Sequence, residues 1–508
     1  MDKRKNYKIA LLAFFAVVIA AFPSCSRKNS GVATELRYGF PTEPATLDPL
    51  SSKGTADSRS ILFNVFEGLV KPDTAGRLVP CLAESWTIER NGRIYIFTLR
   101  EGVRFHDGSI VSPADVKFSL DTAVASGFEG LNNLDEITIT GENKIRVALK
   151  SPDPEFLPYL TIGIVKADNH DREKNIIGTG PFFIESYTIQ QNLVLKKFND
   201  YWQRSLPQPV DLPHLEKVTI VFFANSDALM TALRGGSIDG VNAVGSMVAQ
   251  LDHRHFDIFN NYSAAVQLFA LNNAAAPLDD IRVRRALNYG IDIQGIIDAA
   301  FFGVGHPSGS PIIPGLSVYY DSSLSYPYEP ETARALLAEA GFNDENRLSF
   351  EITVPSNYTM HVDTAQVIVS QLEKIGVNAS IRLVDWPTWL SDVYRDRKYM
   401  ATIISIDSSV VSPRNFLFRY QSEAGGNFFN YKSAEFDKIY NTILTEIDEP
   451  RRIRLYKDAQ RVITQDAANV YIQDILYFRA FRGGAFGGVL NYPLYVIDFA
   501  SIYGIDKN

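Results

Sequence analysis

The strongest constraint on this chain lies at its beginning. Ile9 to Phe22, IALLAFFAVVIAAF, is an apolar run of 14 residues behind a basic head of Lys3, Arg4, Lys5 and Lys8. A membrane-spanning helix needs about 20 apolar residues. A basic head, a short apolar body and a small residue, Ser24, instead have the form of an export signal. The alternative is a buried N-terminal helix. No later segment offers 18 uncharged apolar residues in a row. The rest of the chain is therefore expected to be soluble and exported, and 508 residues call for more than one core.

Export changes how the two cysteines read. An oxidising compartment permits a disulfide, but Cys25 stands at the signal boundary and Cys81 sits inside the apolar LVPCLAESW. Cys81 reads as a small buried hydrophobe. Cys25 fits another role, because FPSC resembles the end of a bacterial lipoprotein signal, whose cysteine is lipidated. It departs from that pattern at Phe22, where Leu is usual, and at Pro23. The following SRKNSG is a flexible polar tether. The expectation is residues 1–24 as signal peptide and 25–33 as a lipidated tether, with Cys25 holding the protein at the membrane.

Charge narrows the partners. Residues 1–24 carry a net +3, which leaves −11 for the rest of a chain whose total is −8. With no basic stripe, nucleic acid is not an expected partner. Catalytic signatures are missing: there is no GxxxxGK[ST] loop, no GxSxG elbow and no HExxH. Gly178 and Gly180 in IIGTGPF lack the third glycine of a dinucleotide loop and read as a tight turn. His106-Asp107-Gly108 reads as a turn between strand and helix. His253 and His255 could share one face of a strand, but no further ligand accompanies them. No catalytic residue, metal site or cofactor is expected.

Strand and helix patterns alternate irregularly, which indicates a mixed α/β chain. ITITGENKIRVALK, residues 137–150, reads as a hairpin turning at Gly-Glu-Asn. VNASIRLV alternates Val377, Ala379, Ile381 and Leu383 on one face. PETARALLAEAG predicts a helix with Pro330 in its first turn, Ala333, Leu336, Leu337 and Ala340 on one stripe, and Gly341 as the stop. DTAQVIVSQLEKIG, ending at Gly376, and EPRRIRLYKDAQRVITQDA, opening with Pro450, follow the same plan.

Many separate motifs then resemble one family, in the same order. They include TLDP at 46–49, VFEGLV, and the long block LVPCLAESWTIERNGRIYIFTLREGVRFHDGSIVSPADVKFSL. GTGPF, NDYW at 199–202, LRGGSIDG at 233–240 and LDDIRVRRALNYGIDIQGII at 278–297 follow. VDW at 384–386 and the stretch 425–472 complete the set. Together they are similar to the extracellular solute-binding proteins of peptide and nickel ABC importers, family 5, over nearly all of residues 34–480.

The resemblance implies a two-lobed periplasmic-binding-protein-like α/β fold, class II and hinge-closing. Lobe I would hold residues 34–268 and 479–508, with an extra subdomain at about 50–170, and lobe II residues 269–478. Crossings would fall near VQLFALNN and DILYFRA. The implied function is capture of oligopeptides and delivery to the permease subunits of an ABC importer, by a monomer tethered outside the cytoplasm. Alternatives are a metal chelate, an oligosaccharide or an opine-like solute as cargo, or a sensor or structural lipoprotein.

The resemblance also nominates ligand-binding residues. Glu43 in TEPATLDP would lie at one side of the cleft, and Trp386 would form a cleft wall. Peptide binders carry an amine-anchoring aspartate four before a proline. Here that position is Ser409, while Asp407 lies six before Pro413, so Asp407 is the candidate anchor only if the loop bulges. Arg414 could receive a ligand carboxylate as a bidentate pair, and Tyr477 in DILYFRA completes the candidate set.

Overall fold

The computed structural model describes residues 32–506, apart from 42, 52–54, 129, 207–211, 224, 244 and 409. The export signal, Cys25 and Ser409 lie outside the described residues. Among the described residues, no helix is long and apolar enough to cross a membrane.

One mixed sheet forms the spine. Its main strands are β1 (Glu35–Phe40), β2 (Phe182–Thr188), β3 (Asn192–Lys197), β4 (Lys217–Phe222), β5 (Gly240–Ala243), β6 (Phe256–Leu271), β7 (Ser349–Pro355), β8 (Asn378–Val384), β9 (Ala401–Asp407) and β10 (Asn469–Arg482). They are hydrogen-bonded in the order β8-β7-β9-β6-β10-β5-β1-β4-β3-β2. The two long strands at its centre, β6 and β10, pair antiparallel from Phe256↔Arg482 to Ala270↔Asn469, with an irregularity between Tyr262 and Val266. On one side of that irregularity β10 pairs with β5, at Gly240↔Phe481 to Ala243↔Phe478. On the other side β6 pairs with β9, at Ala265↔Asp407 to Leu271↔Ala401. Two strands thus carry the chain between two lobes. A bulge bends and twists a strand locally, and the change of partners falls near one of the two irregularities of the pair.

Each lobe has its own apolar interior. Lobe I packs Leu36, Tyr38 and Phe40 of β1 against Val65, Leu69, Tyr95 and Phe97, and against Phe499 and Ile502 of the C-terminal tail. A four-stranded antiparallel sheet of Ala83–Glu89, Ile94–Leu99, Lys144–Leu149 and Leu134–Gly141, in that spatial order, extends this lobe. The helix Pro113–Ala125 lays buried Val116, Leu120 and Ala123 on this core. Lobe II holds two further clusters, one around Leu271, Ile352, Ile368 and Leu372, the other around Trp389, Phe416, Tyr420 and Tyr456.

The local readings hold where pattern alone decides. The hairpin forms with Glu142 and Asn143 at its turn. The helix Pro330–Glu339 begins at its proline. Gly341 follows with φ at +94°, a left-handed conformation that a side chain would strain. Glu449–Gln465 is a helix capped by Asp448, whose carboxylate accepts from the Arg451 N–H. The helix read at 363–376 starts earlier, at Thr359. The alternation of β8 fades at its end, where Leu383 is 53% exposed. That strand is the sheet's edge, so only part of its inner face is covered.

Two motifs without catalytic content prove to be one structural device. The Gly178 N–H donates to His106 Nδ1 at 3.2 Å, and His106 Nε2 lies 3.0 Å from the Gly180 carbonyl. One ring nitrogen accepts and the other donates, which is the neutral imidazole. Burial favours that form and pushes the His106 pKa down to about 4. Cys81 is fully buried, and burial pushes its thiol up beyond its usual range. It is core, as its apolar flanks suggested.

Candidate functional site

The floor of the candidate site is built by lobe I. Thr55 caps the helix Ala56–Leu62 by accepting from the Ser58 N–H. The first turn of that helix carries Asp57 and Arg59. Asp57 accepts from the Tyr495 hydroxyl at 3.2 Å. Tyr495 in turn receives Asn242 Nδ2 at 3.3 Å, and Asn242 Oδ1 receives the buried Tyr38 hydroxyl at 2.7 Å. The Tyr477 ring stands edge-on to Tyr495 with centroids 4.8 Å apart. Burial, reinforced by the carboxylates of Asp57 and Asp407, pushes the Tyr477 hydroxyl up to about 12. Tyr477 thus keeps a neutral hydroxyl at ordinary pH.

Lobe II supplies the facing wall. Asp385 caps a short helix by accepting from the Thr388 N–H at 2.8 Å, and this fixes Trp386 at the helix start. The Trp386 ring lies flat on Trp389, with centroids 5.0 Å apart and planes 4° from parallel. Trp389 is buried and anchored through its Nε1 to Thr402 Oγ1 at 3.0 Å. Tyr358 meets the other side of Trp386 edge-on at 5.6 Å. Asp407 ends β9 with its side chain 67% exposed, 3.8 Å from Arg59 across the lobes. Aromatic walls with few charged groups are the ordinary makeup of a small-molecule site.

A cavity lies in lobe I, sharing Arg59 with this group. Its volume is about 190 Å³, and it has Leu62, Phe63, Phe66, Tyr492, Leu494 and Val496 in its wall. Arg59 and, from lobe II, Val410 also line it. At its inner side Glu67 accepts from Tyr201 Oη at 2.7 Å, Trp202 Nε1 at 2.8 Å and Thr179 Oγ1 at 3.1 Å. Burial outweighs these donors and raises the Glu67 carboxyl above its ordinary range.

Residues 77–428 match the sequence profile of the bacterial extracellular solute-binding proteins, family 5, middle region. The chain belongs to that family. Heme-binding protein A of Haemophilus influenzae is 26% identical over 510 residues, covering 90% of this chain and 91% of that protein. The glutathione-binding protein GsiB of Salmonella typhimurium is 27% identical over 478 residues, covering 88% and 89%. In fold, the chain is similar to the oligopeptide-binding protein AppA of Bacillus subtilis, solved with a nonapeptide. The TM-score is 0.74 at 22% identity, covering 94% of this chain and 99% of that one.

In this family 5 protein the nominated residues divide. Trp386, Asp407 and Tyr477 come to one region, linked through Tyr358 and Arg59. Glu43 is held elsewhere: it accepts from the Tyr187 hydroxyl at 2.6 Å and from the Gln190 N–H at 2.7 Å. It thereby ties its segment to the β2–β3 hairpin. Arg414 is committed as well. Its Nη1 donates to both carboxylate oxygens of Asp153, at 2.8 and 2.9 Å, and its guanidinium lies over the Tyr159 ring at 5.3 Å. A guanidinium paired in this way is not open to a ligand carboxylate.

Asp57, Arg59, Tyr358 and Tyr495 were not nominated. Thr55-Ala-Asp-Ser is a legible helix start, but nothing in it says which lobe the helix faces. Among the described residues, no group of three or more His, Cys, Asp or Glu is arranged to hold a metal ion.

Proposed function

We propose that this protein is the substrate-binding component of an ABC importer, capturing oligopeptides between its lobes and passing them to membrane permease subunits. The observation that carries the reading is the facing arrangement of the cleft. Trp386 and Tyr358 stand on lobe II, Tyr495 on lobe I and Tyr477 on the strand that joins the lobes, and Asp407 opposes Arg59 at 3.8 Å. An extended peptide offers such a cleft an ammonium for Asp407, in place of Arg59, and side chains for the aromatic walls. The glutathione-binding relative and the nonapeptide complex of AppA lend support, since both ligands are peptides.

The lobes close on the cargo by bending the β6–β10 pair. The protein works as a monomer outside the cytoplasm, held at the membrane by a lipid on Cys25, where its permease waits. A non-peptide cargo is the second reading. The apolar wall of the cavity and the relative named for heme binding favour it.

Native mass spectrometry of protein purified from its own host tests the reading. Bound peptides recovered intact are the expected result. A heme, a sugar or another non-peptide solute, recovered in place of peptides, overturns the oligopeptide assignment.

A further inference from the structure

A second set of contacts joins the lobes outside the aromatic site. The segment after the hairpin 134–149 leaves lobe I and presents Asp153 and Glu155 to lobe II. Asp153 takes the Arg414 guanidinium on both oxygens, at 2.8 and 2.9 Å. Glu155 receives Arg452 Nε at 3.1 Å and the Tyr456 hydroxyl. The Tyr159 hydroxyl donates to Asn415 Oδ1 at 2.9 Å. The four charged side chains are between 9% and 12% exposed. Tyr95 holds the Asp153 carbonyl from within lobe I, so the acidic segment is fixed to its own lobe before it meets the other.

Buried ion pairs behave unlike surface pairs. Their attraction is offset by the loss of water around both charges, so a complete pair adds little net stability. A pair missing one partner leaves a bare charge in a dry site, which is strongly unfavourable. Here the dry site exists only while the lobes are together. Separation would return all four charges to water at small net cost. Approach at a wrong angle would bury them unpaired.

We propose that Asp153, Glu155, Arg414 and Arg452 are positioning residues that select the angle at which the lobes close on cargo. This rests on the reading of the lobes as a closing pair. The pairs tolerate opening and reject misaligned closure. They act through lobe geometry and do not touch the aromatic site.

Small-angle scattering of the full chain, without peptide and then saturated with a tripeptide library, tests this; the radii compared between variants are those with peptide. Asp153→Leu and Arg414→Met, each alone, are expected to enlarge the radius of gyration, because each strands the opposite charge. The double variant Asp153→Leu/Arg414→Met is expected to return to the wild-type radius, as is Glu155→Leu/Arg452→Met against its singles. The wild-type radius should hold even in ~1 M salt, where the Debye length is about 3 Å, since buried pairs are poorly screened. Arg414→Lys, which keeps the charge but not the fork, should fall between wild type and Arg414→Met.

Single variants with the wild-type radius, or a double variant as expanded as its worse single, overturn the proposal. If the wild type contracts when a tripeptide library is added while the singles match it throughout, the latch alone fails. If no variant or peptide changes any radius, the lobes do not move and the closure reading fails with it. Should an apolar single fail to fold, the shape-conserving Asp153→Asn and Glu155→Gln carry the same comparison.

Discussion

Asp407→Ala separates an amine-anchoring cleft from one that merely happens to be acidic. The Asp407 side chain is 67% exposed and its pairing with Arg59 at 3.8 Å is loose. Such a surface pair contributes about 0–1 kcal/mol, so the variant should fold as wild type does. In the closed cleft the balance changes. Two unit charges 4 Å apart interact by about 1 kcal/mol in water and about 4 kcal/mol at an effective dielectric constant near 20. Arg59 competes for the same carboxylate, so the ligand gains only part of the upper value. A loss of more than tenfold in affinity, about 1.4 kcal/mol, is expected. Titration calorimetry with peptides recovered from the native protein, each as the free amine and N-acetylated, gives the control. Asp407→Ala should weaken the free amines and leave the acetylated forms unchanged. An equal loss for both forms, or no loss, refutes the amine anchor.

Two further outcomes follow from the interior of lobe I. Burial raises the Glu67 carboxyl above its ordinary 4.5, so the folded state keeps a proton that the unfolded chain has released. The group's contribution is most favourable below that value and is lost as pH rises through the raised folded value. Glu67→Gln should therefore gain stability relative to wild type as pH rises above 4.5. Urea unfolding at a series of pH values measures this, and a pH-independent difference contradicts it. The turn that His106 clamps is equally specific. A Cβ on Gly178 would lie 1.9 Å from the Val65 carbonyl oxygen, so Gly178→Ala must displace backbone. A loss of about 1–3 kcal/mol or more is expected, and an unchanged denaturation midpoint would show that the turn relaxes freely.

What the sequence could disclose depended on whether local chemistry decided the outcome. The helix Pro330–Glu339 was legible because a proline, an apolar stripe and a left-handed glycine act within a dozen residues. Cys81 was legible because its apolar flanks dictate its burial. Trp386 and Asp407 could be singled out only through motifs. Their meeting with Tyr477 is a property of the sheet, in which β6 pairs with the end of β9 at Ala265↔Asp407 and with the middle of β10 at Asn261↔Tyr477. Arg414 shows the limit most clearly. Its partner, Asp153, is 261 residues away in sequence, and no spacing rule connects them. Asp57 and Tyr495, 438 residues apart, could not be paired for the same reason. Glu43 reads as a cleft charge by motif but is satisfied by a hairpin turn that packs beside it.

The two charge contacts between the lobes differ in a way that suits different tasks. Asp407 is exposed, Arg59 is half-buried, and the two are loosely paired at 3.8 Å. Under the proposed function, a ligand ammonium would replace Arg59 at the exposed Asp407 carboxylate. Asp153–Arg414 and Glu155–Arg452 are dry and saturated with protein donors, and a ligand could enter only by stranding a charge. A cleft made solely of the first kind would bind cargo but close at any angle. A cleft made solely of the second would close in one way and recognise nothing. Placing the deformable β6–β10 pair beneath both lets one bending motion engage the two together. Cargo selectivity and closure angle can then be altered by separate substitutions: changes at Asp407 should shift affinity with the closed geometry intact, and changes at Arg414 should shift the geometry first.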